Sequence, residues 1–216
     1  MRQLNNTEQR FTPNAGIAIG PILFIVAILA ILAAAIAAGS GSFTSGTTTE
    51  SNRTKSSALV QIGENLKIGM DRITMEGGIP ATSVDINATN TSLTNALFSP
   101  TGGGVAAPSV SMANAPATDV WYYVQGPING LGSSASEIFA TLRVASGVCA
   151  EINNRATGTS STPTGADLGN FASQVTVSAN TVTNWPAGMA GLSTGCVNNT
   201  NAGSTGTYFY QVMAIQ

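Results

Sequence analysis

The chain has no histidine and very few charged residues. The missing histidine excludes His-based catalytic triads, His-ligated metals and the usual proton shuttle near neutral pH. Only 8% of the 216 residues are charged, against about 25% in ordinary domains. A net charge of −2 without a cluster of Lys and Arg excludes nucleic-acid binding, because neutralising phosphates needs a basic surface. A surface so poor in charge suits a domain held at a membrane or packed against copies of itself.

The remaining reactive side chains form no recognisable catalytic pattern. Acidic residues are isolated from one another, and both lysines, Lys55 and Lys67, fall in one predicted helix. The triplet Gly102–Gly104 is followed by Val-Ala-Ala rather than by the Gly-Lys-Ser/Thr of a phosphate-binding loop, so it predicts a tight turn. We therefore expect no enzymatic activity, no metal, no cofactor and no small-molecule substrate.

The chain has one long apolar run, near its start. Ala15–Ala38 is 24 residues without a charged side chain. As a helix it would span about 36 Å, enough to cross the roughly 30 Å core of a bilayer. We therefore predict a transmembrane helix over 15–38, in contact with lipid. The residues expected to form this anchor and assembly surface are Ile17, Ile19, Pro21, Ile22, Leu23, Phe24, Ile25, Val26, Ile28, Leu29, Ile31, Leu32 and Ile36.

The apolar run divides the chain into four parts. Residues 1–14 are predicted to be a cytoplasmic or leader-like segment, 39–49 a flexible hinge rich in Gly, Ser and Thr, and 50–216 an extracytoplasmic domain with one core. The small residues Ala35-Ile36-Ala37 also permit a cleaved signal peptide. The run is much longer than the 7–15 apolar residues of a signal peptide, which favours an uncleaved anchor.

Two helices are predicted in the domain. The first covers 50–75 and ends at Gly77-Gly78; the second covers 135–153, with Ser134 and Glu137 as a capping box at its start. Each has one apolar stripe at helical spacing. The stripe of the first consists of Leu59, Ile62, Leu66, Met70 and Ile73, and that of the second of Ile138, Leu142, Ala145, Cys149 and Ile152.

The rest of the domain is predicted to be loops and strands. A loop region covers 81–116, and strands are expected over 120–124, 173–178 and 207–215. The aromatic residues of the first and last strand can form either a ligand platform or the core between two strands, and core packing is the preferred interpretation. These aromatic residues are Trp121, Tyr122, Tyr123, Tyr208 and Tyr210.

Cys149 and Cys196 are the two cysteines, and both follow the apolar run. They form either a disulfide in an oxidising compartment or two buried thiols. A disulfide closing a loop of about 48 residues would stabilise the fold by about 4 kcal/mol in the chain-entropy model.

The order of these features resembles that of bacterial type IV pilins and prepilin-like proteins. The stretches that carry the resemblance are 16–23 in the apolar run, LFSPTGGGVAAP at 97–108 and SGVCAEINN at 146–154. The resemblance implies an α+β fold, in which an N-terminal transmembrane helix precedes a pilin-like head with an antiparallel sheet packed on helices. It also implies that the apolar helix forms the filament core and that Cys149 and Cys196 are the disulfide of the head.

One feature of pilins is missing. A prepilin is cut before a Phe that is followed by a Glu at the fifth position, whereas the fifth position counted from Phe11 is Ala15. We expect a structural subunit of the inner membrane, with its head in the periplasm or outside the cell, that assembles with copies of itself or with another membrane complex. The alternatives are an accessory subunit that stays in the inner membrane, and an extracytoplasmic adhesion or binding module.

Overall fold

A computed structural model describes the backbone of residues 19–111, 119–132, 137–169, 178–179, 182 and 184–215. It describes the side chains of these residues apart from those of 19–21, 38–45 and 178–179. The chain divides into two compact units, Met1–Thr47 and Thr48–Gln216. We refer to the second unit as the head.

Helix α1 runs from Ile19 to Asp71 and contributes residues to both units. A π-helical turn, Arg72–Glu76, continues it, and the backbone then turns at Gly78, whose φ of 61° suits glycine. The stop predicted at Gly77-Gly78 is confirmed. The backbone over 39–49, where we expected a flexible hinge, is helical. That segment contains no proline, so every residue in it keeps the N–H that a helix requires.

The transmembrane part of the predicted fold is wrong. In the portion of the chain that the structure describes, no helix is both long enough and apolar enough to cross a membrane.

The α+β class of the head is confirmed. Helix α2 is Ser146–Thr157, and short 3-10 turns occur at Ala81–Ser83 and Ala187–Met189. Among the described residues, six strands form one sheet in the order β3-β5-β6-β2-β1-β4. The inner strands pair antiparallel and the two edge strands pair parallel, so the sheet is mixed. The strands are β1 (Tyr122–Gly126), β2 (Glu137–Arg143), β3 (Thr164–Ala166), β4 (Ser178–Ala179), β5 (Thr194–Asn199) and β6 (Gly206–Ala214).

The predicted helix over 135–153 is wrong in its first half. Glu137–Arg143 is the central strand β2, and α2 begins only at Ser146. Six of the seven residues of β2 are buried, so the strand lacks the apolar–polar alternation that identifies a half-exposed strand. Glu137 is a strand residue rather than a helix cap, and its Oε2 accepts the backbone N–H of Ile128 at 2.7 Å. Its expected partner Ser134 lies outside the described residues.

The structure also bears on the three strands predicted over 120–124, 173–178 and 207–215. β1 and β6 confirm the strands expected over 120–124 and 207–215, each within two residues at either end. Of the strand expected over 173–178, residues 173–177 lie outside the described part of the chain, and Ser178 begins β4.

The sheet has an apolar cluster on each face. On the first face, β2 and β6 pack against α1 and α2 through Ile138, Leu142, Phe209, Met213, Leu59, Leu66, Met70, Ile73, Val148 and Ile152. On the second face, the same two strands pack against the segment before β5 through Phe139, Tyr208, Tyr210, Val212, Trp185 and Met189. The stripe predicted for the first helix is therefore the surface that closes one core, with Ile62 at its partly buried edge.

Helix α1 approaches the sheet closely at Gly63. A Cβ at this position would lie 2.9 Å from Cβ of Gln211 in β6, so a larger residue would push the helix away from the strand. Helix α1 also makes one polar contact with the sheet and one with α2. Gln211 Nε2 donates to Glu64 Oε1 at 3.2 Å, and Arg155 of α2 donates to Ser57 Oγ of α1 at 2.6 Å.

The abundant Ser, Thr, Asn and Asp residues hold the loops through their own side chains. Asp85 Oδ1 accepts the N–H of Asn87, Ser99 Oγ accepts that of Thr101, and Asn201 Oδ1 accepts that of Gly203. These are Asx and Ser/Thr turns, in which a side chain replaces a backbone acceptor two residues away. The predicted turn at Gly102–Gly104 is confirmed, with the N–H of Gly103 donating to the carbonyl of Ala96 at 3.0 Å.

The buried hydroxyl of Tyr123 gives a testable prediction about stability. Tyr123 is 2% exposed, and its hydroxyl has no hydrogen-bond partner among the described residues. Tyr123→Phe removes an unpaired polar group, so we expect the free energy of unfolding at pH 7 to stay equal or to rise by up to about 1–3 kcal/mol. Urea unfolding followed by circular dichroism measures this.

The same variant should flatten the alkaline pH dependence. Burial raises the pKa of Tyr123, so above about pH 10 the unfolded chain ionises this residue while the folded chain does not. Stability is then full below pH 10 and falls as pH rises, by less in Tyr123→Phe than in the wild type. Tyr210→Phe is the matched control at pH 7 only, because Tyr210 donates to the carbonyl of Leu192 and its loss should destabilise there. Burial also raises the pKa of Tyr210, so this variant should flatten the alkaline dependence as well. A destabilised Tyr123→Phe at pH 7 would contradict the assignment of an unpaired hydroxyl.

Candidate functional site

The large apolar side chains of α1 between Ile22 and Ile36 are exposed to solvent, and we call this stretch the apolar segment. Their exposed fractions range from 42% for Ile28 to 70% for Ile31. They are Ile22, Leu23, Phe24, Ile25, Val26, Ile28, Leu29, Ile31, Leu32 and Ile36. Ten of the thirteen residues predicted as the assembly surface are therefore exposed apolar groups on one helix.

The apolar segment is apolar around its whole circumference. Successive helical residues are about 100° apart, so the four residues Ile22–Ile25 point in four directions that cover a full turn. All four are more than half exposed. A helix that is apolar on every side is stable in water only when neighbours cover it on every side. A single partner on one face would leave most of this surface in water.

Small residues are interspersed among the large ones. Alanine side chains let helix axes approach closely, because interaxial distance depends on the side chains at the contact. The alanines of this stretch are Ala27, Ala30, Ala33, Ala34, Ala35 and Ala37. Three predicted residues add nothing to this geometry: Ile17 lies outside the described residues, and Ile19 and Pro21 have no described side chain.

The structure joins Cys149 of α2 to Cys196 of β5 by a disulfide, as predicted. The Cα atoms are 5.5 Å apart, and both residues are fully buried. The bond crosses from α2 to the sheet at the first-face core. It therefore pins α2 against the sheet from within the apolar cluster.

Asn153 makes a second link between α2 and β5, which the sequence pattern did not reveal. Its Oδ1 accepts the N–H of Cys196 at 2.8 Å, and its Nδ2 donates to the carbonyl of Cys196 at 3.0 Å. The same Nδ2 donates to the carbonyl of Ser161. The neighbouring strand β3 pairs with β5 only from Asn198 onward, so the amide of Asn153 satisfies backbone groups that β3 does not reach.

Four of the aromatic residues in and next to β1 and β6 form core rather than an open platform. Trp121, Tyr123, Tyr208 and Tyr210 are each at most 7% exposed. Trp121 packs edge-on against Phe209 with ring centroids 6.0 Å apart, which is a favourable arrangement for aromatic rings. The preferred interpretation, core packing, is confirmed for these four residues.

The acidic residues of the head remain separate from one another. In the described portion of the chain, no group of three His, Cys, Asp or Glu residues could hold a metal ion. Glu151 lies 3.6 Å from Arg53, and Asp71 lies 2.7 Å from Lys67, both as partly exposed ion pairs. Such pairs contribute at most about 1 kcal/mol each.

Comparison of the chain with protein-family models, with curated proteins and with solved structures finds no match.

Asn153→Leu tests the second link between α2 and β5. The variant has a similar volume but leaves the buried N–H and carbonyl of Cys196 without partners, so we expect a loss of about 2–4 kcal/mol in the free energy of unfolding. Asn154→Leu is the matched control, because Asn154 is the adjacent helical residue and is exposed. Thermal and urea unfolding under oxidising conditions measure both. Equal stability of the two variants would show that the amide of Asn153 does not hold β5.

Replacing both cysteines by alanine tests the covalent link. We expect a loss of about 4 kcal/mol, because the unfolded chain regains the freedom of a loop of about 48 residues. Mass spectrometry of the non-reduced wild type, before and after alkylation, checks the bond directly. Two alkylated thiols in protein from an oxidising compartment would contradict it.

Proposed function

We propose that this protein is a structural subunit of a pilin-like filament, held together by the apolar segment of α1. The single observation that carries the proposal is the exposure of ten large apolar side chains around the full circumference of one helix. Identical segments from several neighbouring copies cover one another on all sides. Each head has apolar cores of its own.

The energetics of the apolar segment favour this arrangement. Full burial of one Leu, Ile, Val or Phe side chain is worth about 1.5–3 kcal/mol. With ten such residues per copy, covering the segment outweighs the several kcal/mol that association costs in lost freedom of movement. The segment between Ile22 and Ile36 contains no charged residue, so no carboxylate or ammonium has to be desolvated.

The absence of charge also distinguishes the proposed filament from the pilin pattern. Subunit registry cannot use a Glu of the helix, because the apolar run has none. Registry then depends on how large side chains such as Phe24 and Leu29 pack beside alanines of the next copy. The oxidising compartment implied by the disulfide agrees with an extracytoplasmic assembly.

Leu29→Asp in the full chain tests the proposal. Leu29 is 58% exposed in the apolar segment, and an aspartate there would have to be buried unpaired between helices, at a cost of several kcal/mol. We expect the sedimenting filament fraction to fall by at least about tenfold. Detergent-free ultracentrifugation and electron microscopy of sheared material measure it.

Leu93→Asp is the matched control. Leu93 is also an exposed leucine, 44% accessible, but it lies in a loop of the head. The same chemical change there should leave the filament fraction unchanged. A Leu29→Asp variant that sediments like the wild type, or a wild type that is a monomer without detergent, would contradict the proposal.

Single cysteines at Ile22, Leu23, Phe24 and Ile25 separate a filament core from a one-sided dimer. The native cysteines are bonded to each other and leave no free thiol among the described residues. If copies surround the segment, all four positions cross-link between copies to a similar extent. If only two helices meet, cross-linking is confined to the one or two positions that face the partner.

A further inference from the structure

A small polar pocket lies at one end of the sheet of the head, separate from the apolar segment. It has a volume of about 290 Å³ and is lined by Asp119, Tyr122, Arg143, Tyr208 and the turn 202–205. Nearly all of its lining consists of polar groups. This volume is at the lower end of the range for ligand pockets, so it suits one small ring rather than a drug-sized molecule.

The strand register builds this pocket. Arg143 of β2 is directly opposite Tyr208 of β6, and Tyr122 of β1 is opposite Thr141 of β2. Side chains two residues apart on a strand share a face, so Tyr208, Arg143 and Tyr122 form a row across three adjacent strands. Arg143 thus lies between the two tyrosines in this row.

Gly206 makes room for the guanidinium. Its φ of 146° favours glycine, and a Cβ at this position would lie 2.8 Å from Nε of Arg143. Arg143 forms no ion pair and no hydrogen bond with the part of the chain that the structure describes. Its five N–H donors are therefore available to an acceptor in the pocket.

Asp119 supplies the complementary group. Its Oδ2 is buried and accepts no hydrogen bond from the described residues. Asp119 and Arg143 both act electrostatically on Tyr208: burial raises the pKa of Tyr208, Arg143 lowers it, and Asp119 raises it again. The pocket thus contains one negative and one positive charge close to the same hydroxyl. Their fields oppose each other, which disfavours a ligand with a strong net charge.

We infer that this pocket binds one ring of a neutral saccharide. Vicinal hydroxyls are both donors and acceptors, so they can accept two N–H bonds from the Arg143 guanidinium and donate to the Asp119 carboxylate. An inorganic anion could use Arg143 but would be repelled by Asp119, and an ammonium ion could use Asp119 but would be repelled by Arg143.

Saturation-transfer difference NMR on the full chain tests the inference. The probes are methyl α-glucoside, methyl α-galactoside, methyl α-mannoside and N-acetylglucosamine, each at millimolar concentration. At least one should give ring-proton signals that an excess of the same sugar removes. Arg143→Gln should weaken its binding by at least about tenfold, because a charge-assisted pair of hydrogen bonds is lost.

Two further variants make the result decisive. Asp119→Asn removes the carboxylate acceptor and should also weaken binding, which provides a second measurement if Arg143→Gln is unstable. Tyr123→Phe is the matched control, since Tyr123 is the adjacent residue on the opposite face of β1 and should leave binding unchanged.

Three results would overturn the inference. Failure of all four sugars to bind, or binding that is unaffected by both Arg143→Gln and Asp119→Asn, would overturn the inference. Displacement of the sugar by millimolar sulfate or phosphate would also overturn it, because the site would then be an anion site. Filament formation is measured independently, so a negative result here leaves the proposed assembly standing.

Discussion

The packing of α1 on the sheet is the contact on which the rest of the head depends. Leu59, Leu66, Met70 and Ile73 close the first-face core, and Gly63 brings the helix against Gln211 of β6. Without this helix, one face of the two central strands would be exposed to water. The same helix contains the apolar segment, so the element that completes the fold also presents the surface with which we propose copies assemble.

A second constraint acts where α2 meets β5. The disulfide at Cys149 restricts the unfolded chain, whereas the amide of Asn153 satisfies backbone groups in the folded one. These two contributions are independent in origin although both end at Cys196. Apolar packing of Val148 and Ile152 adds to these two links, whereas surface ion pairs contribute little.

Features that follow from local periodicity could be predicted from the sequence. The prediction failed where a strand is buried on both faces, because such a strand has no apolar–polar alternation. The stripe of α1, the buried position of Cys149 and strand β6 were all read from spacing alone. β2 was misread as helix because both of its faces are buried, and Ile138 and Leu142 happen to be four residues apart. Asn153 and Arg143 were not identified as site residues, because Asn153 acts through hydrogen bonds to a distant strand and Arg143 through pairing with one. The membrane span was predicted from the apolar run, and no helix in the described part of the chain is both long enough and apolar enough to form one.

Because charged residues are scarce in this head, an arginine without a partner in the described structure indicates a binding site. Polar residues in this head mostly satisfy their own loops, as Asp85, Ser99 and Asn201 do, so they are unavailable to a ligand. Arg143 instead lies in a pocket beside Asp119 with its donors unused in the described structure. Retaining a partly desolvated charge without a partner is costly unless something in solution compensates it. Water does so in part, and a ring of hydroxyls does so with more specific geometry, which is why a neutral polyhydroxylated ligand suits this pocket better than an ion.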